Sequence, residues 1–397
     1  MADGGISVGV VGGGPPTTVD PVGTLALGGA AWTCEWWIGA DDRWRIPANE
    51  VAVRQQRIHN VAVVETAMRV PGGDAVQRVY GVAGAGQPVV VDIENQSPAP
   101  FVAAFVVRGV SRVDQEGPHA MFDGAFVCSW LRAPSRWAKT VGTPVQMPVT
   151  TGRAVTGPFT PVRDRSGRLE VAFLHPVAHR TNLRMVLTRA KFLPEFDIRS
   201  LPDAEQVAAG WRRQLDRGMQ VQLPDRTLEA RLRAARTEVL LRGQATRPDP
   251  LVVAALEDWG FDTEAEEAWR RLGTRERRRA ANRPAPTSWA ALEAVTDDAE
   301  LLLGARRLLV DDPRDGAGPV TLCADHPASW RGQPVEVRNA PVANGLLSYA
   351  VRWHGPRPAL LWDAPEGTVV RVPALDPTWV SGPTPGEALL GPMPGAA

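Results

Sequence analysis

Two segments of this sequence set carboxylates beside tryptophan. One is Glu257-Asp258-Trp259, and the other is Trp32-Thr33-Cys34-Glu35-Trp36-Trp37-Ile38-Gly39-Ala40-Asp41-Asp42-Arg43-Trp44. Glycoside hydrolysis needs two carboxyl groups flanking the scissile bond, one holding a proton for the leaving oxygen and one ionised to activate water or attack. A half-buried carboxyl against an indole can be kept protonated, so Glu257 or Asp258 is the candidate acid and Glu35 its candidate counterpart. Indole faces stack on the C–H faces of pyranose rings while acids bond hydroxyl groups, which makes Trp36, Trp37, Trp44 and Trp259 candidate substrate-binding residues. The same residues have a plainer reading. Acids near a helix C-terminus are usually exposed, and the helix dipole there disfavours their ionised form. Alternate tryptophans of a strand face a core, which leaves at most two of the four in the first segment for a ligand.

Other chemistries find less support. His175 and His179 have the spacing of a zinc pair only on a helix; Pro176 and strand-like neighbours oppose one, and four strand residues span about 13 Å. His354 reads as a turn histidine rather than a proton carrier, in Trp353-His354-Gly355. The lysines are Lys139 and Lys191, each preceded by alanine, so no phosphate loop of the glycine-lysine type is present. Nucleophile-elbow, zincin and dinucleotide fingerprints are also missing. Cys34, Cys128 and Cys323 are odd in number and far apart, which excludes a disulfide framework and a four-cysteine zinc site. No cofactor or metal is expected.

The elements that must position these residues change character along the chain. From Ile6 to about Arg189 short runs alternate with period two: Ala62, Val64, Thr66, Met68 and Val70 share one face, Glu65 and Arg69 the other. Val89 to Glu94 repeats the arrangement with Asp92 and Glu94 outward, Phe101 to Val107 suits a central strand, and turn clusters follow Val70 and Glu94. The outward acids and Arg69 form a solvated sheet face or a polar groove. This rhythm predicts one large antiparallel sandwich.

At Ser200 the period becomes about 3.6. Val207, Trp211, Leu215 and Met219 form a stripe; Asp225 caps a helix ending at Gly243; Asp249-Pro250 opens one ending at Gly260; Asp262 caps one ending at Gly273. Pieces at Arg275–Asn282 and Ser288–Val295 precede a last helix at Asp298–Val310, roughly seven in all, joined as hairpins. Strands return at Val335–Arg338, Leu346–Trp353, Ala359–Trp362 and Val369–Val372.

The 397 residues allow two or three domains, and 44 basic against 44 acidic residues leave no bulk field for nucleic acid or anionic lipid, so a neutral partner is favoured. Hydrophobic residues at 44% fit a globular chain, and 38 Gly with 36 Pro disfavour long helices throughout. No Lys or Arg precedes Arg43, and Pro15, Pro16, Asp20 and Pro21 break the least polar stretch. The expectation is a soluble cytoplasmic protein without a secretory leader or membrane span.

Sandwich, helical hairpins and small sandwich, in that order, resemble the six-hairpin (α/α toroid) glycosidases. The local likeness is best from Pro341-Val342-Ala343-Asn344-Gly345 to Trp353 and from Ala364-Pro365-Glu366-Gly367 to Pro373, a glycine-led strand, a proline-glycine turn and a closing strand. The whole chain is also similar to an uncharacterised actinobacterial family with the segment Leu256-Glu257-Asp258-Trp259-Gly260-Phe261-Asp262. The resemblance implies an α+β multidomain protein with an N-terminal antiparallel β-sandwich at 1–198, a helical-hairpin domain at 199–312 and a small C-terminal β-sandwich at 313–397. Twelve helices with short connections need on the order of 200 residues, so the middle span holds about half a toroid. It further implies a protein that acts on or binds a neutral carbohydrate, with a catalytically degenerate binding or structural protein as the alternative.

Overall fold

The computed structural model describes residues 4–190, 196–273, 276, 288–313 and 318–391. The chain divides into two compact units, Met1–Gly210 and Trp211–Ala397, and the helix Ala204–Leu215 runs across the division. The expected helical piece at Arg275–Asn282, apart from Glu276, and Lys191 lie outside the described residues.

The first unit is built from two antiparallel sheets, of eight and nine described strands. Thr33–Gly39, Phe101–Val110, Leu169–Val177 and Arg136–Val141 lie side by side in the eight-stranded sheet. Phe101–Val110 is an interior strand, as its apolar run predicts, and it extends to Val110. The other sheet runs Phe126–Trp130, Asn182–Arg189, Val89–Asn95, Gly73–Gly81, Val63–Val70 and Val53–Arg57 at one side. The core between the sheets takes Trp36, Phe105 and Phe173 from one and Val64, Met68, Ile93, Phe122 and Trp130 from the other. The alternation read at Val64, Thr66, Met68 and Val70 is present, with Glu65 outward in an ion pair to Arg78.

The outward face of that strand group is not uniformly wet, which corrects the solvated-face expectation. Asp92 does point away from the core but is 7% exposed. Arg184 bonds both its oxygens, Tyr80 donates to it at 2.7 Å, and the same two side chains hold the carbonyls of Leu201 and Pro202. The chain leaving the sandwich is thereby strapped over the sheet, and burial, then Asp92, push the Tyr80 hydroxyl far above its ordinary pKa.

In the second unit the helices begin and end where local chemistry dictates. Asp225 accepts from the amides of Thr227 and Leu228 at 2.9 Å and starts Arg226–Arg242. Asp249 caps Pro250–Asp258, and Gly260, at φ 78°, supplies the left-handed turn after it. Asp225→Ala is expected to lower unfolding free energy by about 1 kcal/mol in urea denaturation, the usual worth of an N-cap. Two details depart from the sequence reading. Phe261 occupies the N-cap of Asp262–Arg270 without a side-chain bond, so Asp262 is the first helical residue and acts through the dipole instead. Met219 lies past the end of its helix and leads into a strand, Gln220–Gln222, which pairs with Val335–Val342. Asp298–Leu309 packs against Arg226–Arg242, Pro250–Asp258 and Trp289–Glu293.

The C-terminal strands form a five-stranded sheet, with Val335–Val342, Gly345–His354, Arg357–Asp363 and Gly386–Leu389 following Gln220–Gln222, and a four-stranded sheet. The latter orders Val310–Asp311, Val320–Leu322, Val370–Val372 and Asp376–Val380. The architecture is multidomain α+β, with all the described strands gathered into four sheets. No helix among the described residues is long and apolar enough to cross a membrane.

Candidate functional site

Strand alternation sends Trp36 and Trp37 to opposite faces of the eight-stranded sheet, and both faces are covered. Trp36 is in the sandwich core with its Nε1 donating to the Val22 carbonyl at 3.0 Å. Trp37 lies on the outer face, fully buried beneath a second small core. There Ala104, Val106, Ala138 and Ala172 make a low floor, and Val145, Val149 and Ala154 from the following segment close on it. Neither indole offers a face to a ligand, which corrects their assignment as stacking platforms. Trp44 is half-buried against Gly39, where an added Cβ would approach its ring to 2.9 Å, so that strand position must stay bare.

Glu35 is also on the outer face and belongs to a charged row. Arg108 pairs across the sheet with Thr33 on one side and Glu170 on the other, and Thr140 stands opposite Glu170. Arg108 Nε donates to Glu35 Oε1 at 2.6 Å, and its Nη1 is 2.5 Å from Glu170 Oε2. Trp37 Nε1 donates to the second Glu35 oxygen at 2.9 Å, and the Val145 amide donates to Glu170 at 2.8 Å. The guanidinium lies 5.6 Å from the centre of the Trp37 ring. Burial draws the Arg108 pKa down, but the two carboxylates outweigh it and the net direction is up. With side chains 27%, 20% and 19% exposed, Arg108, Glu35 and Glu170 are fixed in position yet reachable. Chemically the row offers anionic acceptors around a rigid donor fork, with the Thr33 hydroxyl at one end, while the Thr140 hydroxyl at the other donates to the Thr143 carbonyl at 2.5 Å.

In the turn after Gly39, Asp42 receives two bonds from Arg45, at 2.8 and 2.7 Å, and the hydrogen bond from Arg45 pulls its pKa down to about 2. Asp41 is exposed.

Glu257, Asp258 and Trp259 belong to the other unit. Glu257 is exposed and accepts from Trp269 Nε1 at 3.2 Å. Asp258 is half-buried, and its carbonyl takes the Arg306 Nε at 3.1 Å. As successive helical residues the two acids diverge by about 100° around the axis and do not face one another. Trp259 is buried, its Nε1 donating to the Leu302 carbonyl at 2.9 Å and its ring 5.4 Å from the Arg236 guanidinium. It is a core strut, which corrects its assignment to substrate.

His175 is buried in the sandwich beside Phe105 and Trp130, and its Nε2 has no hydrogen-bond partner. His179 is exposed beyond the end of that strand, and His354 is exposed at the end of its own. Among the described residues no three His, Cys, Asp or Glu side chains cluster as metal ligands.

No family model matches this chain, and no curated protein matches it. Among solved structures it is similar to a family GH92 alpha-mannosidase from Bacteroides thetaiotaomicron, at 9% identity and TM-score 0.27, over 62% of this chain and 39% of that one. A GH92 family glycosyl hydrolase is similar at 8% identity and TM-score 0.21, over 60% of this chain and 28% of that one. The chain thus spans well under half the length of either, and likeness at this level transfers neither fold nor activity.

The sequence singles out Glu35 but not its partner Arg108, nor Glu170, the second carboxylate on that arginine. Arg108 is 73 residues from Glu35 in the chain. The available signal was a single charge closing the apolar run that begins at Phe101, and a single acid between Leu169 and Val171.

Proposed function

We propose that this chain binds a neutral saccharide on the outer face of its large sandwich and does not cleave it. The carrying observation is that Glu35 and Glu170 share one guanidinium, Arg108. Hydrolysis calls for a carboxyl in apolar surroundings that holds a proton for the leaving oxygen. Two charge-paired carboxylates around an arginine instead make hydrogen-bond acceptors, and the rest of the Arg108 fork with the Thr33 hydroxyl makes donors, the set that sugar hydroxyls engage. The six-hairpin resemblance and the balanced charge agree with a neutral carbohydrate. Glu257 and Asp258 remain the acids against which a hydrolytic reading is tested.

Arg108→Met is expected to abolish saccharide-dependent thermal stabilisation across an oligosaccharide panel. It leaves two half-buried carboxylates without their cation, at a cost of about 1–3 kcal/mol after allowance for solvent screening. The milder Glu170→Gln keeps the shape and weakens binding with little loss of stability. A panel that never raises the melting midpoint of the native chain overturns the binding reading. Release of reducing ends that disappears in a Glu257→Gln/Asp258→Asn variant overturns the non-hydrolytic one.

A further inference from the structure

The segment that leaves Arg136–Val141 is bounded by two glycines in the left-handed region, Gly142 at φ 70° and Gly152 at φ 72°. At Gly152 an added Cβ would meet nothing within 4 Å, so backbone conformation rather than crowding calls for glycine. Positions of this kind absorb the dihedral change of a hinge. Between them, residues 143–151 carry one helix, Gln146–Thr150, too short to stand without outside contacts, and its N-cap Val145 supplies no side-chain bond.

Few contacts hold these residues down. Their buried side chains are Val145 and Val149, which pack with Trp37, Ala104, Val106, Ala138 and Ala172, while Met147 is 61% exposed. Among the described residues two hydrogen bonds tie them to the sheet. Thr140 Oγ1 donates to the Thr143 carbonyl, and the Val145 amide donates to Glu170 Oε2 at 2.8 Å. Little buried surface and few bonds to the rest of the fold are the marks of a segment that opens locally.

The second bond lands on the charged row. Glu170 Oε2, which takes the Val145 amide, also lies 2.5 Å from Arg108 Nη1, so one carboxylate oxygen serves both the segment and the row. In its closed position the segment holds Glu170 toward Arg108, and an occupant that needs Glu170 in that place favours closure. Such coupling is reciprocal.

We propose that residues 143–151 form a lid, hinged at Gly142 and Gly152 and latched by the Val145 amide on Glu170, that closes when the row is occupied. The response to an occupant rests on the saccharide reading of the row; the latch does not.

Amide hydrogen exchange on the full chain reads the lid at Val149, Thr151 and Gly152, whose amides bond carbonyls within the segment. In the free chain these are expected to exchange by local opening, with about a hundredfold less protection than the interior strand Phe101–Val110. Glu170→Gln replaces a charged acceptor by a neutral one, leaves the lid's own packing untouched, and should speed the three amides by about tenfold. Val145→Pro removes the donor at φ −70°, a value proline adopts, and should act in the same direction. A saccharide that raises the melting midpoint should, at saturation, slow the three amides by about tenfold. Protection equal to that of Phe101–Val110 in the free chain, or two variants whose lid amides exchange as slowly as the native ones, overturns the lid. Unchanged lid exchange in a chain that the saccharide stabilises overturns the coupling. A panel with no stabilising saccharide overturns the reading of the row and closure on occupancy with it, while the latch is judged by the free chain.

Discussion

Arg306→Met is expected to lower the unfolding free energy by about 3–5 kcal/mol, the largest effect of any single substitution considered. Arg306 is 7% exposed near the end of Asp298–Leu309 and has no direct carboxylate bond among its hydrogen bonds. Its fork is spent on carbonyls. Nε donates to Asp258, Nη1 to Val310 and Nη2 to Pro341, so one side chain closes two helix ends and fastens the strand Val335–Val342. Burial draws its pKa down, opposed by the acids Asp258, Asp312 and Asp311. Methionine fills much of the space and supplies no donor, which leaves three carbonyls short of a partner; each such group costs about 1–3 kcal/mol, less where water reaches it. Arg307, half-exposed on the next position, is the control, and its methionine variant should move stability by less than about 0.5 kcal/mol. Urea denaturation at neutral pH reads both. A loss below 1 kcal/mol for Arg306→Met would sink the argument that this fork holds the unit together.

The second expected result concerns acid. Burial alone lowers the His175 pKa to about 4, against an ordinary value of 6.5. Above pH 6.5 the ring is neutral in the folded and unfolded chain, and the site adds no pH dependence. Between 6.5 and 4 the unfolded chain takes a proton that the folded core refuses, so stability falls as pH falls. Below about 4 both states carry the proton and the slope from this group ends. The interval corresponds to a loss on the order of 3 kcal/mol. His175→Phe should keep the stacking on Phe105 and Trp130, remove the unpartnered Nε2 and flatten this part of the profile. Denaturation series from pH 7 to pH 4 on both proteins separate it from the carboxylates, which titrate in each. Parallel profiles would show that the histidine does not reach the core as described.

Much of the molecule was written locally. Asp225 and Gly243, Asp249-Pro250 and Gly260 mark their helices because caps and chain breakers act within one turn. Val64, Met68 and Val70 announce a buried face because alternation is a property of the strand itself. The sequence likewise requires Trp36 and Trp37 to face opposite ways. Only tertiary structure decided that a floor of alanines and a returning segment would cover the outer one. Glu35 became one end of a charged row because three strands distant in sequence set Arg108 between it and Glu170, and register of that kind is fixed by packing across the sheet rather than by neighbours along the chain. The same holds for Gln220–Gln222, too short to declare itself. Short-range geometry sets what an element is; which surfaces touch depends on burial and pairing shared by the whole chain.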